Sequence, residues 1–166
     1  IQLSSANSIN IARWLPQQFY YAFALQQWNE EQAPVVSVPS GNFGNLCAGV
    51  LAKQSGLPIR HFIAACNAND AVTQYLSTGH LPNQSVHSTL SNAMDVASPS
   101  NFVRLLEMMH HSWPEMKQQL SSYRISDTET LETLRRIYQT DGYILDPHGA
   151  VGVAAAEQYQ LANPKA

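Results

Sequence analysis

The strongest constraint on the fold is a segment of about thirty residues in which strand, turn, helix and strand signals follow one another. An apolar, β-branched run at residues 35–38 leads into the turn PSGNFGN at 39–45. An apolar helical pattern follows at 46–54, Ser55 and Gly56 end it, and a second apolar run covers 59–65. This order predicts a βαβ unit, which requires a parallel sheet with helices on its faces. We therefore expect an α/β chain, a three-layer α/β/α sandwich that is incomplete at its sheet edges.

The other patterns predict mainly helices. A long helix is expected over residues 10–28, with Pro16 at its start or at a kink. One face of it is marked at helical spacing by Ile11, Leu15, Phe19, Ala22, Phe23 and Gln26. Shorter helices are expected up to 77, over 102–110, over 128–140 and over 149–161. Residues 79–100 form a long connection, typical of a functional or mobile loop, and residues 142–145 are compatible with a short strand.

Composition excludes several classes of function. The 166 residues suggest one domain or a piece of a larger protein, so we treat 1–166 as a single α/β segment. A formal net charge of −3 argues against a nucleic-acid partner, which would need a basic stripe. No apolar run is long enough to span a membrane. Two cysteines, Cys47 and Cys66, suit reduced core thiols, and we expect a cytoplasmic location.

The turn Gly41, Asn42, Phe43, Gly44, Asn45 lies between a strand end and a helix start. The first N–H groups of a helix lack intrahelical partners, and the helix dipole adds partial positive charge there. Glycines let the backbone approach a bound group closely. These features favour an anion cradle suited to phosphate. An ordinary tight turn, with asparagines capping the helix, accounts for the pattern equally well.

A second cluster of polar residues comes at the beginning of the chain. Asn7, Ser8 and, about one helical turn later, Arg13 combine hydroxyl, amide and guanidinium donors beside a helix start. Arginine is a natural bidentate partner of phosphate or carboxylate. A capped helix with Arg13 in a surface ion pair is the alternative, and composition alone favours it.

The remaining polar residues are weaker candidates. Asn67, Asn69 and Asp70 follow a strand end, where α/β proteins place ligand contacts, but they also suit a helix cap. Asp95 is an isolated carboxylate in the long connection. The histidines show no metal-ligand spacing, so no metal site is expected.

Taken together, these segments resemble the threonine synthase family, pyridoxal-phosphate enzymes of fold type II (tryptophan synthase β-like), and the bacterial type most closely. The resemblance is carried by SANSINxxR at 5–13, VSVPSGNFGN at 36–45, LxAGxLAK at 46–53, GLPIxxFIAAxNxND at 56–70, TLSNAMDV at 89–96 and DPHxAV at 146–151. These blocks span nearly the whole chain in one order. The ends of the sequence, without Met at Ile1, add the expectation of a central-to-C-terminal fragment.

The resemblance implies a lyase that converts O-phospho-L-homoserine and water to L-threonine and phosphate, with pyridoxal 5'-phosphate as cofactor. It assigns Gly41, Asn42, Phe43, Gly44 and Asn45 to the cofactor phosphate. It assigns Asn7, Ser8 and Arg13 to the phosphate of the substrate. It also implies that the rest of the enzyme is the partner of this segment.

The sequence departs from the family pattern in two ways. The Schiff-base lysine of the family lies in a Lys-Asp-Phe context that is absent here, since Lys53, Lys117 and Lys165 have other surroundings. The later segment that partners the pyridine nitrogen is also absent, so this chain alone is expected to be inactive. Asn45 replaces an acidic residue of some relatives. The alternatives are another fold-type-II lyase, such as a serine or threonine dehydratase, or a catalytically silent phosphate-binding domain.

Overall fold

The computed structural model describes residues 10–164. Within them the sheet has three parallel strands in the order β1-β2-β3: β1 (Val35–Pro39), β2 (His61–Cys66) and β3 (Leu120–Arg124). Val35 lies opposite His61 and Phe62 opposite Leu120. The predicted βαβ unit and parallel sheet are confirmed.

Seven α-helices lie in the described range. They are α1 (Trp14–Gln26), α2 (Gly44–Gln54), α3 (Ala71–Thr78), α4 (Phe102–Met108), α5 (Trp113–Gln119), α6 (Asp127–Asp141) and α7 (Pro147–Ala162). Short 3₁₀ turns precede α1 (Ile11–Arg13) and interrupt the long connection (Asn92–Met94). None of these helices is both long and apolar enough to cross a membrane.

The buried strand β2 divides the core in two. Phe62, Ala64 and Cys66 join the cluster that contains the residues of α2, whereas Ile63 and Ala65 face Val151, Ala154 and Ala155 of α7. Alternate residues of a strand point to opposite faces, so one apolar run supplies both cores. The predicted three-layer α/β/α arrangement follows, with α7 on one face of the sheet and α2 on the other.

The structure differs from the sequence prediction at two places around the sheet. The third strand was not predicted, because Leu120–Arg124 reads LSSYR and lacks an apolar run. Its hydroxyls hold it in place: Ser122 Oγ lies 2.9 Å from the Ala64 carbonyl oxygen, to which it donates. Residues 142–145 form no strand and connect α6 to α7 instead. Helix α7 begins at Pro147, behind an Asp146 side chain that accepts from the Gly149 N–H.

Helix α1 is apolar on two opposite faces. Trp14 and Tyr21 are buried, at 3% and 6% exposure, and pack toward α2. The face predicted from helical spacing points outward: Leu15, Phe19 and Phe23 are each about 60% exposed. Pro16 lies in the first turn, where its missing N–H breaks no helical hydrogen bond.

Candidate anion-binding site

Polar loops converge where the parallel strands end. The strands end at Pro39, Cys66 and Arg124, and carboxyl ends of neighbouring parallel strands share one edge of a sheet. The glycine turn follows β1, the Asn67–Asn69 segment follows β2, and the N-terminus of α7 packs against the same edge. Ligands of open α/β sheets bind at this edge, so the fold brings the candidate residues to a suitable place.

The glycine turn has a backbone that only certain residues can form. A Cβ added to Gly41 would lie 2.6 Å from the Met94 Cα and 3.1 Å from the Ala93 carbonyl oxygen, so glycine is required there. Phe43 has a left-handed backbone (φ 63°) and is buried against Phe102, edge to face. The N–H of Ser40 donates to the Ala65 carbonyl at 2.8 Å, which fixes the turn to β2.

Ser100 and Asn101, which lie just before α4, hold the turn from outside. The Asn42 Oδ1 accepts from the Ser100 N–H at 2.6 Å and from its hydroxyl at 2.9 Å. The side-chain amide of Asn101 donates to the Asn42 carbonyl at 3.0 Å. The side-chain and backbone oxygens of Asn42 are therefore both hydrogen-bonded to this segment.

Tyr21 connects α1 to the first turn of α2. Its hydroxyl lies 2.9 Å from the Asn45 carbonyl oxygen and 3.0 Å from Asn45 Oδ1. Burial, together with nearby Cys47, raises the pKa of Tyr21, so the hydroxyl stays protonated and donates. Helices α1 and α2 approach closely at Gly49, where an added Cβ would lie 2.5 Å from the Tyr21 ring. Nothing in the local sequence around Tyr21 or Asn101 signals these contacts, because their partners are 24 and 59 residues away.

Of the three predicted residues at the beginning of the chain, Arg13 is described, while Asn7 and Ser8 lie outside the described residues. Arg13 ends the 3₁₀ turn before α1 and is exposed. The next residue, Trp14, stacks under the Arg104 guanidinium, 5.6 Å from the ring centroid. Arg104 donates to Asn101 at 2.7 Å, and Asn101 donates to Asn42. This series of contacts links the end of α1 that carries Arg13 to the glycine turn.

A polar network follows β2 and anchors the long connection. Asp95 accepts from the Thr89 hydroxyl at 2.7 Å and from the Thr89 N–H at 3.0 Å. It also accepts from the side-chain amides of Asn67 at 2.9 Å and Asn69 at 3.1 Å. Asn67 and Asn69 are buried. These residues therefore hold the loop that presses Met94 against Gly41, which is a structural role that their spacing did not reveal. Asp70, in contrast, pairs with Arg124 at 3.6 Å.

His148 joins this loop to α7. Its Nε2 accepts from the Ala93 N–H at 3.3 Å, which leaves the proton on Nδ1, 3.3 Å from the Asp146 carboxylate. The hydrogen bond from the Gly149 N–H, more than His148, lowers the pKa of Asp146, so this carboxylate is charged. The pair sets the start of α7 against the loop.

Neither of the two lysines within residues 10–164 lies at this edge. Lys53 lies in the last turn of α2, roughly 13 Å along the axis from its first residue, and donates to the Arg60 carbonyl. Lys117 lies over the Trp113 ring on α5. The same residues hold no group of three or more His, Cys, Asp or Glu side chains that suits a metal ion.

Known proteins share this sequence and fold. The family described as "Pyridoxal-phosphate dependent enzyme" matches residues 4–165. The chain is 48% identical over 153 residues to a Haemophilus influenzae threonine synthase, covering 91% of this chain and 36% of that protein. Identity to the Escherichia coli threonine synthase is 45% over 155 residues, covering 92% of this chain and 36% of that protein. The chain therefore spans about 36% of the length of these relatives.

Solved structures of threonine synthases have the same fold as this chain. The crystal structure of the Escherichia coli threonine synthase matches with a TM-score of 0.88 at 44% identity, over 94% of this chain and 36% of that one. A PLP-bound threonine synthase from Brucella melitensis matches with a TM-score of 0.88 at 36% identity, over 94% and 39%. A maize serine racemase, 19% identical with a TM-score of 0.64, shares the fold only. The resemblance seen in the sequence is confirmed.

Proposed function

Because this chain belongs to the family of pyridoxal-phosphate dependent enzymes, we propose that it supplies the cofactor-phosphate site of a threonine synthase. That enzyme converts O-phospho-L-homoserine and water to L-threonine and phosphate. The identity of 45–48% to threonine synthases favours this reaction over that of a serine or threonine dehydratase. The cytoplasm is the compartment we propose.

The single observation that carries the proposal is the close approach at Gly41. Glycine at position 41 lets the loop at Ala93 and Met94 pack directly on the turn, and α2 begins three residues later with the positive end of its dipole at the turn. Gly41, Asn42, Phe43, Gly44 and Asn45 would hold the cofactor phosphate through backbone N–H groups. The bound cofactor supplies an electron sink for the substrate carbons, while these residues hold and orient it.

We assign the substrate phosphate to Asn7, Ser8 and Arg13. Arg13 is exposed just before α1, and a guanidinium can form two parallel hydrogen bonds with a phosphate. The contacts through Trp14, Arg104 and Asn101 support placing this site beside the cofactor site. Two phosphate sites suit a reaction in which one phosphate anchors the cofactor and another is the leaving group.

The catalytic lysine, in this proposal, comes from outside the 166 residues. Lys53 is tied to the Arg60 carbonyl at the far end of α2, and Lys117 belongs to α5. Neither lies at the edge of the sheet that carries the glycine turn. The chain alone therefore binds the cofactor phosphate without turnover.

The test measures phosphate release and threonine formation from O-phospho-L-homoserine by the product of the complete reading frame that encodes this sequence. Arg13→Ala should lower kcat/KM by ~10–100-fold, mainly through KM, in line with the loss of a charged hydrogen bond. Arg135→Ala, an exposed arginine on α6, is the matched control and should leave both constants unchanged. Unchanged kinetics of Arg13→Ala would remove Arg13 from the site. Ammonia release from L-serine without threonine formation would favour the dehydratase instead.

A further inference from the structure

Asn101 is a buried residue whose side-chain amide contacts the glycine turn at one end and an arginine at the other. Its exposure is 0%. The amide N–H donates to the Asn42 carbonyl oxygen at 3.0 Å, and the amide oxygen accepts from Arg104 at 2.7 Å. The backbone of Asn101 is tied to α2, since the Cys47 thiol donates to the Asn101 carbonyl oxygen at 3.5 Å. Both ends of the amide therefore have partners inside the protein.

The Arg104 guanidinium determines which way round this amide lies. A guanidinium has five N–H donors and no acceptor, so it binds the oxygen end of an amide and not the nitrogen end. Rotating the Asn101 amide by half a turn would place its N–H groups against Arg104 and its oxygen against the Asn42 carbonyl oxygen. Arg104 is itself held over the Trp14 ring, 5.6 Å from the centroid. Arg104 thus selects the orientation in which the amide donates to Asn42.

The contact with the Asn42 carbonyl fixes one peptide plane of the turn. The C=O of Asn42 and the N–H of Phe43 belong to the same trans peptide, so they point in opposite directions. Because the carbonyl is directed at Asn101, the Phe43 N–H points away from Asn101. Within residues 10–164 this N–H donates to no backbone carbonyl. It is one of the N–H groups that the proposed function assigns to the cofactor phosphate.

The backbone of Phe43 favours rotation of this peptide in the opposite sense. Its φ of 63° lies in the left-handed region, which is costly for a bulky residue. Rotating the peptide between Asn42 and Phe43 by half a turn would bring that φ to about −120°, where most residues lie without strain. The rotation would also break the hydrogen bond from Asn101. That hydrogen bond therefore holds the turn in a conformation that Phe43 alone would leave.

We propose that Arg104 is a positioning residue: it orients the Asn101 amide so that the peptide between Asn42 and Phe43 keeps its N–H toward the cofactor phosphate. The inference rests on the proposed function for the identity of the ligand. A rotated peptide would present the Asn42 carbonyl oxygen to the phosphate in place of an N–H, and the two would repel each other. Arg104 acts through Asn101 and Asn42, without contact with the cofactor.

Two substitutions of Arg104 separate this role from packing on Trp14. Arg104→Lys keeps a side chain that can only donate, whereas the amide of Arg104→Gln can donate or accept and so permits both orientations of Asn101. Affinity for pyridoxal 5'-phosphate is measured by absorbance titration of the product of the complete reading frame. We expect Arg104→Lys to bind like the unmodified protein and Arg104→Gln to bind ~10-fold more weakly, as for one charge-assisted hydrogen bond. Equal affinities of the two variants would overturn the proposal.

The loss of a positive charge is controlled in two ways. Arg136→Gln removes the charge of an arginine that pairs with Glu157 of α7, and it should leave cofactor affinity unchanged. The difference between the two Arg104 variants should persist from low to high ionic strength, because salt screens the attraction between separated charges and leaves the orientation of an amide as it is. A difference that disappears at high salt would overturn the proposal in favour of simple attraction between Arg104 and the phosphate.

The conformation of the turn gives a readout that needs no cofactor. A crystal structure of the complete product with Arg104→Gln should show the peptide between Asn42 and Phe43 rotated, with a negative φ at Phe43. The Arg104→Lys protein should keep the left-handed Phe43. An unrotated peptide in both variants would contradict the assigned role of Arg104. Phosphate release from O-phospho-L-homoserine by the unmodified product reports on the proposed function separately.

Discussion

The glycine turn and the Asp95 network lie side by side at one edge of the sheet, yet they are specified in different ways. The turn is local: its glycines, the left-handed Phe43 and the helix start fall within a few consecutive residues. The network is assembled from distant residues, since Asn67 and Asp95 are 28 positions apart. The turn depends on the absence of a side chain, whereas the network depends on side chains that satisfy one another. Gly41 and Met94 join them, because the loop held by Asp95 is what closes on the turn.

This difference separates ligand binding from stability. In the proposed function, the turn offers its backbone N–H groups to an anion. The network satisfies buried amides and hydroxyls, which would be costly if left unpaired. Changes in the turn should therefore lower affinity first, and changes in the network should lower stability first.

Gly41→Ala should have the largest effect. The new Cβ would lie 2.6 Å from the Met94 Cα, a backbone atom, so the turn or the loop has to move. A displacement of about 1 Å in a binding site costs on the order of 100-fold. We expect pyridoxal 5'-phosphate affinity to fall by ~100-fold in the product of the complete reading frame, measured by absorbance titration.

The control for that variant is Gly142→Ala at the end of α6. Gly142 has φ 66° with no atom near an added Cβ, so alanine is strained there without contact with the turn. It should lower the free energy of unfolding by about 1 kcal/mol and leave cofactor affinity unchanged. Equal losses of affinity in both variants would mean that Gly41 acts through stability alone.

Asp95→Ala should lower the stability of the fold rather than the affinity for the cofactor. It removes the acceptor of two amides and of the N–H and hydroxyl of Thr89. Hydrogen bonds to a charged group suggest a loss of about 2 kcal/mol in the free energy of unfolding, measured by urea denaturation. Asp141→Ala, at the exposed C-terminal end of α6, should be neutral or slightly stabilising, since a carboxylate there opposes the helix dipole. A stable Asp95→Ala protein that has lost cofactor affinity would place Asp95 in the ligand site.

The two regions also show what the sequence can predict. Strand β1, the turn and α2 were predicted from residues that are neighbours in the chain, because backbone conformation and helix dipoles are local properties. The roles of Asn67, Asn69 and Asp95 were not predicted from the sequence, because a hydrogen-bond network depends on which loops the fold brings together. Strand β3 was missed for a related reason: it has no apolar run, and its Ser122 bonds to the Ala64 carbonyl of β2 and to the Thr73 hydroxyl of α3. The apolar stripe on α1 was predicted from the sequence, but its exposure was not, because burial depends on which elements pack against the helix.

Tyr21→Phe tests a contact that joins the turn to distant structure. It deletes the hydroxyl that donates to Asn45 and leaves the ring packed against Phe62. Loss of one neutral hydrogen bond, about 1 kcal/mol, should weaken cofactor binding by roughly fivefold. Tyr20→Phe is the matched control, because Tyr20 is the exposed neighbour on the same helix and should bind the cofactor as before. Equal affinities of the two variants would show that Asn45 keeps its place without Tyr21.

The smallest effect is expected at the opposite end of the sheet, where pH should change stability and leave binding untouched. His61 is the first residue of β2. Its Nδ1 donates to the Gln118 carbonyl oxygen at 3.2 Å. Its Nε2 accepts from the Ser121 hydroxyl at 2.9 Å. Burial lowers the pKa of His61, opposed by the Gln118 hydrogen bond and assisted by Lys53 and Arg60.

As pH falls, His61 of the unfolded chain therefore binds a proton near the ordinary pKa of about 6.5, at a higher pH than His61 of the folded chain does. The contribution of His61 is fully present above pH 6.5 and is lost as pH falls toward the lower folded pKa. His61→Gln keeps a donor and an acceptor but does not titrate, so its Tm should depend less on pH between 8 and 5 than that of the unmodified protein. Parallel Tm curves would assign the acid sensitivity to other groups. Because His61 stacks on Tyr159, far from the loops that follow the strands, cofactor affinity at pH 8 should be the same in both proteins.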